Sequence, residues 1–209
     1  MKIVSIESLQ RSPVRHDIEV TGTHNFVACG VVVHNSNFRA ANIAKEVEGE
    51  AGQAGFHVGS HRMDFVETPE NLYWRAARKY KLDEVLPKGY QIFGEVYGRG
   101  VQKLTYDLED IDVRFFDLMV DTAYAGYAEF VEFCVKHFLP MAPLLHVGPW
   151  KKELMVMADG KSQIAKHIRE GFVVRPVKER WDHKVGRVIL KAVSEEYLTS
   201  KNSEEIEAH

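Results

Sequence analysis

A chain of 209 residues and 23.9 kDa has room for one domain, or for one domain and a small appendage, but not for two full enzymatic domains. Its content of 45% hydrophobic and 27% charged residues is that of a globular body able to bury about 70% of its unfolded surface, which excludes disordered and fibrous classes. The net charge of −3, from 27 Lys and Arg against 30 Asp and Glu, argues against wholesale coating of nucleic acid and confines any such contact to a local patch. No apolar run approaches the ~20 residues of a membrane span, and MKIVSIESLQRSP lacks the long apolar core and cleavage site of a signal peptide. A soluble, cytoplasmic chain with no membrane partner is expected. Cys29 and Cys134 stand far apart with no C-x-x-C, so neither a disulfide framework nor a cysteine-based zinc site is suggested.

The texture of the chain changes near residue 36. Residues 1–35 show no helical periodicity and read as short strands, IVSIESL, HDIEV, NFVA and GVVVH, broken by Ser12-Pro13, Gly22 and Gly30. Beyond residue 36 strands and helices alternate. Thr68-Pro69-Glu70 reads as a helix start, with Thr68 as cap and Leu72, Ala76 and Tyr80 on one face. YQIFGEVYG and VRFFDLMV read as strands, and Tyr127, Phe130, Val131, Cys134 and Phe138 then form an apolar stripe at helical spacing. GFVVRPV and GRVILKAV follow as strands. The fold class expected is α+β, a small all-β segment followed by a body of antiparallel sheets and helices. Residues 175–191 hold six cations, Arg175, Lys178, Arg180, Lys184, Arg187 and Lys191, against Glu179 and Asp182. On charge alone such a run is a solvated face.

Two groups of residues carry chemistry. In the first, VVVHNS ends an apolar strand in His34-Asn35, with the hydroxyl of Ser36 next. Upstream, HDIEVTGTHNFVACG puts Asp17 and His24 on strands that could fold back on that end. An asparagine amide can attack its own carbonyl, close a succinimide and cut the following peptide bond. The reaction is slow unless imidazoles near neutral pH polarise the carbonyl and activate the amide. A serine hydroxyl at the next position can accept an acyl group once a base activates it. Each histidine alone is ordinarily structural. Together, D-I-E-V-x-G-x-H-N-F-V-A followed by V-V-V-H-N-S resembles the C-terminal splicing region of inteins, a Hint-type fragment over residues 1–35. The resemblance implies Asn35 as the cyclising residue and His34 as its penultimate assistant. It makes His24 with Asp17 the general acid/base pair, and Ser36 the acyl acceptor opening the flanking host protein. Cys29 departs from the more familiar Asn or Asp before glycine. The N-terminal intein half has no counterpart here and Met1 stands about where a C-terminal half would begin, so a split intein acting in trans is expected.

The second group is spread over IFGEVYG, VRFFDL, EGFVVRP and RVILKAVS. Carboxylates suit ribose and a divalent metal, an aromatic face suits a base, and a lysine suits phosphates. Singly, each piece has an ordinary structural use. In this order they resemble motifs III, IIIa, IV and V of ATP-dependent RNA ligases, in the covalent nucleotidyltransferase superfamily that includes DNA ligases and capping enzymes. Ser36-Asn37-Phe38-Arg39 matches the second half of the K-x-H-G-[ST]-N-F-R motif of one ligase branch. VGSHRM is similar to motif Ia, and GVQKLTYD, KERWDHK and LKAVSEEYL are close to that branch's pattern.

The resemblance implies a nucleotidyltransferase (adenylation) domain over 36–209, using ATP and Mg²⁺ to join RNA ends. Asn37 lies in the nucleotide-binding motif and Glu95 contacts ribose. Phe116, or failing it Phe115, stacks on adenine. Glu170 helps hold the metal, Lys191 contacts the α-phosphate, and Arg62 lies near ribose or the acceptor end. The second lysine common in motif V is replaced by Ile189, with Lys184 or Arg187 as substitutes. The nucleotidyl lysine itself falls four residues before Ser36, where Val32 stands, and Lys45 lacks the His-Gly context. The lysine is therefore expected from a partner chain, an N-terminal split-intein and ligase half ending in K-x-H-G. Rival readings are a DNA or mixed-substrate ligase and a non-catalytic nucleic-acid-binding remnant.

Overall fold

The computed structural model describes residues 25–29, 37–44, 54–60, 63–101 and 106–199. Asp17, His24, His34, Asn35, Ser36 and Arg62 lie outside these residues, as do the runs IVSIESL, HDIEV and GVVVH and the expected domain boundary between residues 35 and 36. In chain order the strands are β1 (Asn25–Cys29), β2 (Asn37–Ile43), β3 (Gly55–Gly59), β4 (Tyr90–Gly98), β5 (Ile111–Val120), β6 (Ala123–Tyr124), β7 (Leu144–Pro149), β8 (Gly171–Pro176), β9 (Trp181–Asp182), β10 (Gly186–Arg187) and β11 (Leu190–Val193). The helices are α1 (Leu72–Lys79), α2 (Leu82–Val85), α3 (Tyr127–Lys136) and α4 (Glu195–Thr199), and a 3₁₀ segment spans Lys152–Ala158. The mixed helix and antiparallel-sheet class is as the sequence suggests.

The chain divides into two compact units. One spans 33–143 with 163–167 and is built on a five-stranded sheet in the order β3-β2-β4-β5-β6. Every named pairing in it is antiparallel. Phe38, Ala40, Val58, Ile92, Val96, Val113, Phe115 and Leu118 form its buried face, closed by Trp74, Ala76 and Ala77 of α1 and Phe130 and Cys134 of α3. Alternation along β2, β4 and the first half of β5 sends every second side chain to this face. Phe38 stacks on Tyr73 and meets Phe115 edge-on, while Tyr80 meets Phe115 edge-on from the end of α1.

Helix α1 begins three residues later than Thr68-Pro69 suggests. Asn71 is its cap, accepting from Tyr73 N at 3.0 Å and Trp74 N at 3.1 Å. Thr68 instead accepts from Asn71 N at 3.2 Å in the preceding turn. A carboxamide reaching two otherwise unpaired amide donors anchors a helix start. This start turns Trp74 inward, where Nε1 donates to Phe65 O at 2.7 Å. Helix α3 likewise stops short of its apolar stripe. Phe138 takes φ 55° just past the last turn and is 90% exposed, so the buried part of the stripe ends at Cys134.

The other unit gathers the described residues of 1–32, 144–162 and 168–209. Its four-stranded sheet runs β11-β8-β1-β7, all antiparallel. A small core of Ala158, Phe172, Val174 and Ala192 is packed by Leu145, Trp150 and Met157. GRVILKAV does not form one strand. Gly186 and Arg187 pair with Asp182 and Trp181, whereas 190–193 pair with β8, and Ile189 at the break is exposed. Ser194 is buried; its N donates to Glu170 O at 2.9 Å and its Oγ to Asp159 Oδ1 at 2.7 Å, tying α4 to the sheet.

Candidate functional site

The face of the five-stranded sheet opposite the core carries a polar row. Asn37 on β2 is registered with Glu95 on β4, and Glu95 with Arg114 on β5. Two residues the sequence resemblance brings to one pocket, Asn37 and Glu95, are therefore direct cross-strand neighbours. Glu95 is only 5% exposed, and its charge, after burial, contributes to raising the phenol of Tyr73. Beside Glu95, Gly94 has no room for a side chain: a Cβ there would stand 2.8 Å from Arg114 O and crowd the ring of Phe115.

Phe115 and Phe116 part company at a β-bulge. Phe93 pairs with Asp117 and Gly94 with Phe115, which leaves Phe116 as the extra residue on β5. Phe115 is fully buried in the core, while Phe116 is half-buried. Of the two aromatic candidates, Phe115 is committed to packing. The bulge also resets the alternation, so that Phe115 and Leu118 both face the core and Asp117 joins the polar side. Asp117 is buried, and Leu118 N donates to its Oδ1 at 3.2 Å. Sequence reasoning missed it and missed Arg114; both lie inside the run VRFFDLMV, where only the bulge, a tertiary feature, shows which face they occupy.

The row continues into a network that holds the sheet to α1. Arg114 Nε donates to Tyr97 Oη at 3.0 Å, Tyr97 Oη to Asp112 Oδ2 at 3.2 Å, and Tyr80 Oη and Lys79 Nζ to Asp112 Oδ1 at 2.5 and 2.9 Å. Burial opposes ionisation of Asp112, but the hydrogen bonds from Tyr80 and Lys79 outweigh it and hold its carboxyl below the usual range. Burial pushes the Tyr97 phenol up to about 12, against the pull of Arg114. On the β2–β3 side Arg39 pairs with Asp64, whose other oxygen lies 3.1 Å from His57 Nδ1.

In the other unit, Glu170 is buried immediately before β8, and Lys191 is an exposed residue of β11 registered with Val173. The cation run 175–191 is partly spent on itself. Arg187 holds Glu179 in a two-pronged ion pair, with both contacts at 2.8 Å. Buried Arg175 stands 3.7 Å from the same carboxylate. Lys178, Lys184 and Lys191 are exposed. Among the described residues no group of three His, Cys, Asp or Glu side chains is clustered to hold a metal ion by itself. Glu95 in one unit and Glu170 in the other are each buried carboxylates, and carboxylate oxygens are hard donors of the kind Mg²⁺ takes. No helix among the described residues is long and apolar enough to cross a membrane.

Several solved structures share this fold. A mutant of the Naegleria gruberi RNA ligase with ATP and Mn superposes with a TM-score of 0.69 at 22% identity, over 84% of this chain and 51% of that one. A mutant with AMP and Mn gives the same figures, and the ligase with PPi gives 0.68 at 21% identity, over 86% of this chain and 52% of that one. The chain thus spans about half the length of these ligases, and at such identity the likeness concerns the fold. The model of the family described as RNA ligase matches residues 29–193, the greater part of the sequence, and the chain belongs to that family.

Proposed function

We propose that this chain is the C-terminal part of an ATP-dependent RNA ligase preceded, over residues 1–35, by a C-terminal split-intein segment, and that splicing in trans completes the enzyme. The observation that carries the ligase reading is the Asn37–Glu95 cross-strand pair, with Glu95 buried, on the polar face of an RNA-ligase sheet. The Naegleria gruberi ligase structures hold ATP or AMP with Mn, which supports ATP and a divalent cation as this chain's cofactors. Glu95 would bind ribose, Phe116 would stack on adenine, Asn37 and Arg62 would border the nucleotide, and Lys191 would meet the α-phosphate. Glu170 would help hold Mg²⁺, which when bound spreads the negative charge of the phosphates during transfer. The RNA-ligase family makes RNA 5′-phosphate and 3′-hydroxyl ends the proposed substrates.

Nucleotidyl transfer needs an amine that attacks the α-phosphate and expels pyrophosphate, forming a lysine–AMP bond; AMP then passes to the 5′-phosphate and leaves as the 3′-hydroxyl closes the phosphodiester. Val32 stands where that amine belongs. The amine is supplied by the partner half, whose K-x-H-G is joined to Ser36. For joining, the hydroxyl of Ser36 takes the partner's acyl group, His24 with Asp17 acts as the general acid/base pair, and Asn35 cyclises with help from His34 to release the segment. The sequence block is the support for this second activity. The test is a mixture of this chain with a partner ending in K-x-H-G and an N-terminal intein half. A spliced product labelled by α-labelled ATP and sealing nicked RNA is expected; matched DNA and hybrid substrates separate the DNA-joining reading, and a spliced product that never takes label sinks the ligase reading.

A further inference from the structure

The position of β1 carries an inference that the splicing reading leaves open. Asn25–Cys29 is an interior strand, registered with five residues of β7 on one side and four of β8 on the other. Its partners on β8 include Val174, which belongs to the small core of this unit. If the strand were absent, β8 and β7 would each present a row of unpaired amides and carbonyls. An open edge of this kind is costly beside a buried core and prone to pairing with other chains. Yet residues 25–29 lie within the segment that trans-splicing removes. The slot therefore needs a replacement, and it can come only from whatever is newly joined to Ser36.

The arithmetic of the junction identifies that replacement. β1 ends at Cys29, seven positions before Ser36. In the joined product the equivalent positions belong to the partner's last residues, and the lysine of K-x-H-G, four positions before Ser36, falls three past the end of the strand. The family match also begins at Cys29 rather than at Ser36, so it extends over the positions just before the junction, where the partner's lysine would stand. We propose, on the basis of the trans-splicing reading, that Asn25–Cys29 is a placeholder: it closes the β7–β8 slot of the unspliced ligase half and is exchanged for the partner's strand that delivers the nucleotidyl lysine.

The exchange has a physical logic. Residues 25–28 belong to the block H-N-F-V-A that begins at His24, and one strand cannot pair with β7 and β8 while also pairing within the assembled intein. Association of the N-terminal intein half must draw β1 out of the sheet, and the slot opens only when the replacement strand is tethered nearby at high effective concentration. Until then the ligase sheet stays closed by its borrowed strand, and the sequence position of the lysine is held by Val32.

Native Cys29 allows a direct test in the full-length chain. It is registered with Val173 on β8 and Leu144 on β7, and cross-strand Cα pairs lie within reach of a disulfide. V173C and L144C are made separately, with V147C, whose partner is Val27, as the out-of-register control. Each is oxidised with diamide and mapped by mass spectrometry. The splicing probe is a reporter protein ending Lys-Ala-His-Gly, followed by the N-terminal half of a split intein whose C-terminal half carries the same H-N-F-V-A block. V173C or L144C should link to Cys29 while V147C does not, the linked chain should splice at least tenfold more slowly than the same chain reduced, and dithiothreitol should restore the rate. No link in either variant, or a linked chain splicing within twofold of the reduced one, overturns the placeholder. If links form but the reduced chain never splices with this probe, the splicing reading falls and the exchange with it; if the reduced chain splices and no link forms, only the placeholder falls.

Discussion

At Asp112 three donors, from Lys79, Tyr80 and Tyr97, converge on one carboxylate, and removing it strands them together. Asp112→Ala should cost about 2–3 kcal/mol in urea unfolding, the usual consequence of leaving partly buried polar groups unsatisfied. The same network sets a pH dependence. Because the folded state holds Tyr97 up to about 12, above the ordinary phenol near 10, it favours the protonated form. Tyr97 therefore contributes stability fully below about pH 10 that is lost as pH rises toward 12. Unfolding free energies at pH 9 and pH 11.5 should fall more steeply in the parent than in Tyr97→Phe; equal slopes would remove this account. Asp112 acts in the opposite sense, its contribution present above the ordinary carboxylate range and lost as pH drops below it. Within the proposed chemistry, Glu170→Ala in the spliced ligase should lower adenylylation by about a hundredfold or more while leaving the splicing yield unchanged, measured on one preparation. Asn35→Ala should abolish release of the 1–35 segment, because no other residue at that bond can close a succinimide, and mass spectrometry of the mixed halves reads it directly.

Among elements, α1 and the bulge in β5 separate packing from function. Asn71→Ala should destabilise the chain by about 1 kcal/mol, as loss of a cap does, and Thr68→Ala by a few tenths at most; thermal melts that rank them the other way would return the helix start to Thr68. Adjacent phenylalanines make a sharper contrast. Phe115 fills the core between Phe38 and Tyr80, so Phe115→Ala should cost about 3–5 kcal/mol. Phe116, displaced by the bulge and half-buried, should cost far less stability when replaced by alanine but weaken ATP binding to the spliced enzyme, read by calorimetry. Comparable stability losses for the two would mean that the bulge does not divide their roles.

For the molecule as a whole, the proposed division of the active site, with Val32 where the lysine belongs, predicts that the chain by itself forms no lysine–AMP bond and seals no RNA. A lysine borrowed from elsewhere would sit several ångströms from the line of attack, where about 1 Å already costs a hundredfold. Incubation of the purified single chain with α-labelled ATP should give no covalent, alkali-stable label, and label should appear after joining to K-x-H-G. Labelling of a lysine in the unjoined chain would overturn the divided active site. Asn35→Ala with Ser36→Ala adds a second arm: ligation in the mixed halves that survives this double change means association alone completes the site, and ligation that disappears means the peptide bond is needed.

The sequence alone was enough for those features that depend on neighbours along the chain. Tyr90–Gly98, Val113–Val120 and Gly171–Pro176 were readable as strands because β-branched and aromatic residues cluster between turn residues, and the order of short motifs pointed to the RNA ligase family. Reading failed where a local rule had a tertiary competitor. Thr68-Pro69 is an acceptable helix start until Asn71 offers a cap that also buries Trp74; Phe138 fits the helical stripe until the chain turns at φ 55°; GRVILKAV is one apolar run until two sheets claim its ends. Charge behaved in the same way, for Arg187 looks like a phosphate contact in the sequence and stands in the fold as the partner of Glu179. Pairing between distant strands left the least trace of all. Nothing in NFVAC says that it will lie between Leu144–Pro149 and Gly171–Pro176, because the energy of a strand in a sheet belongs to the edges that receive it, and those edges lie more than a hundred residues away.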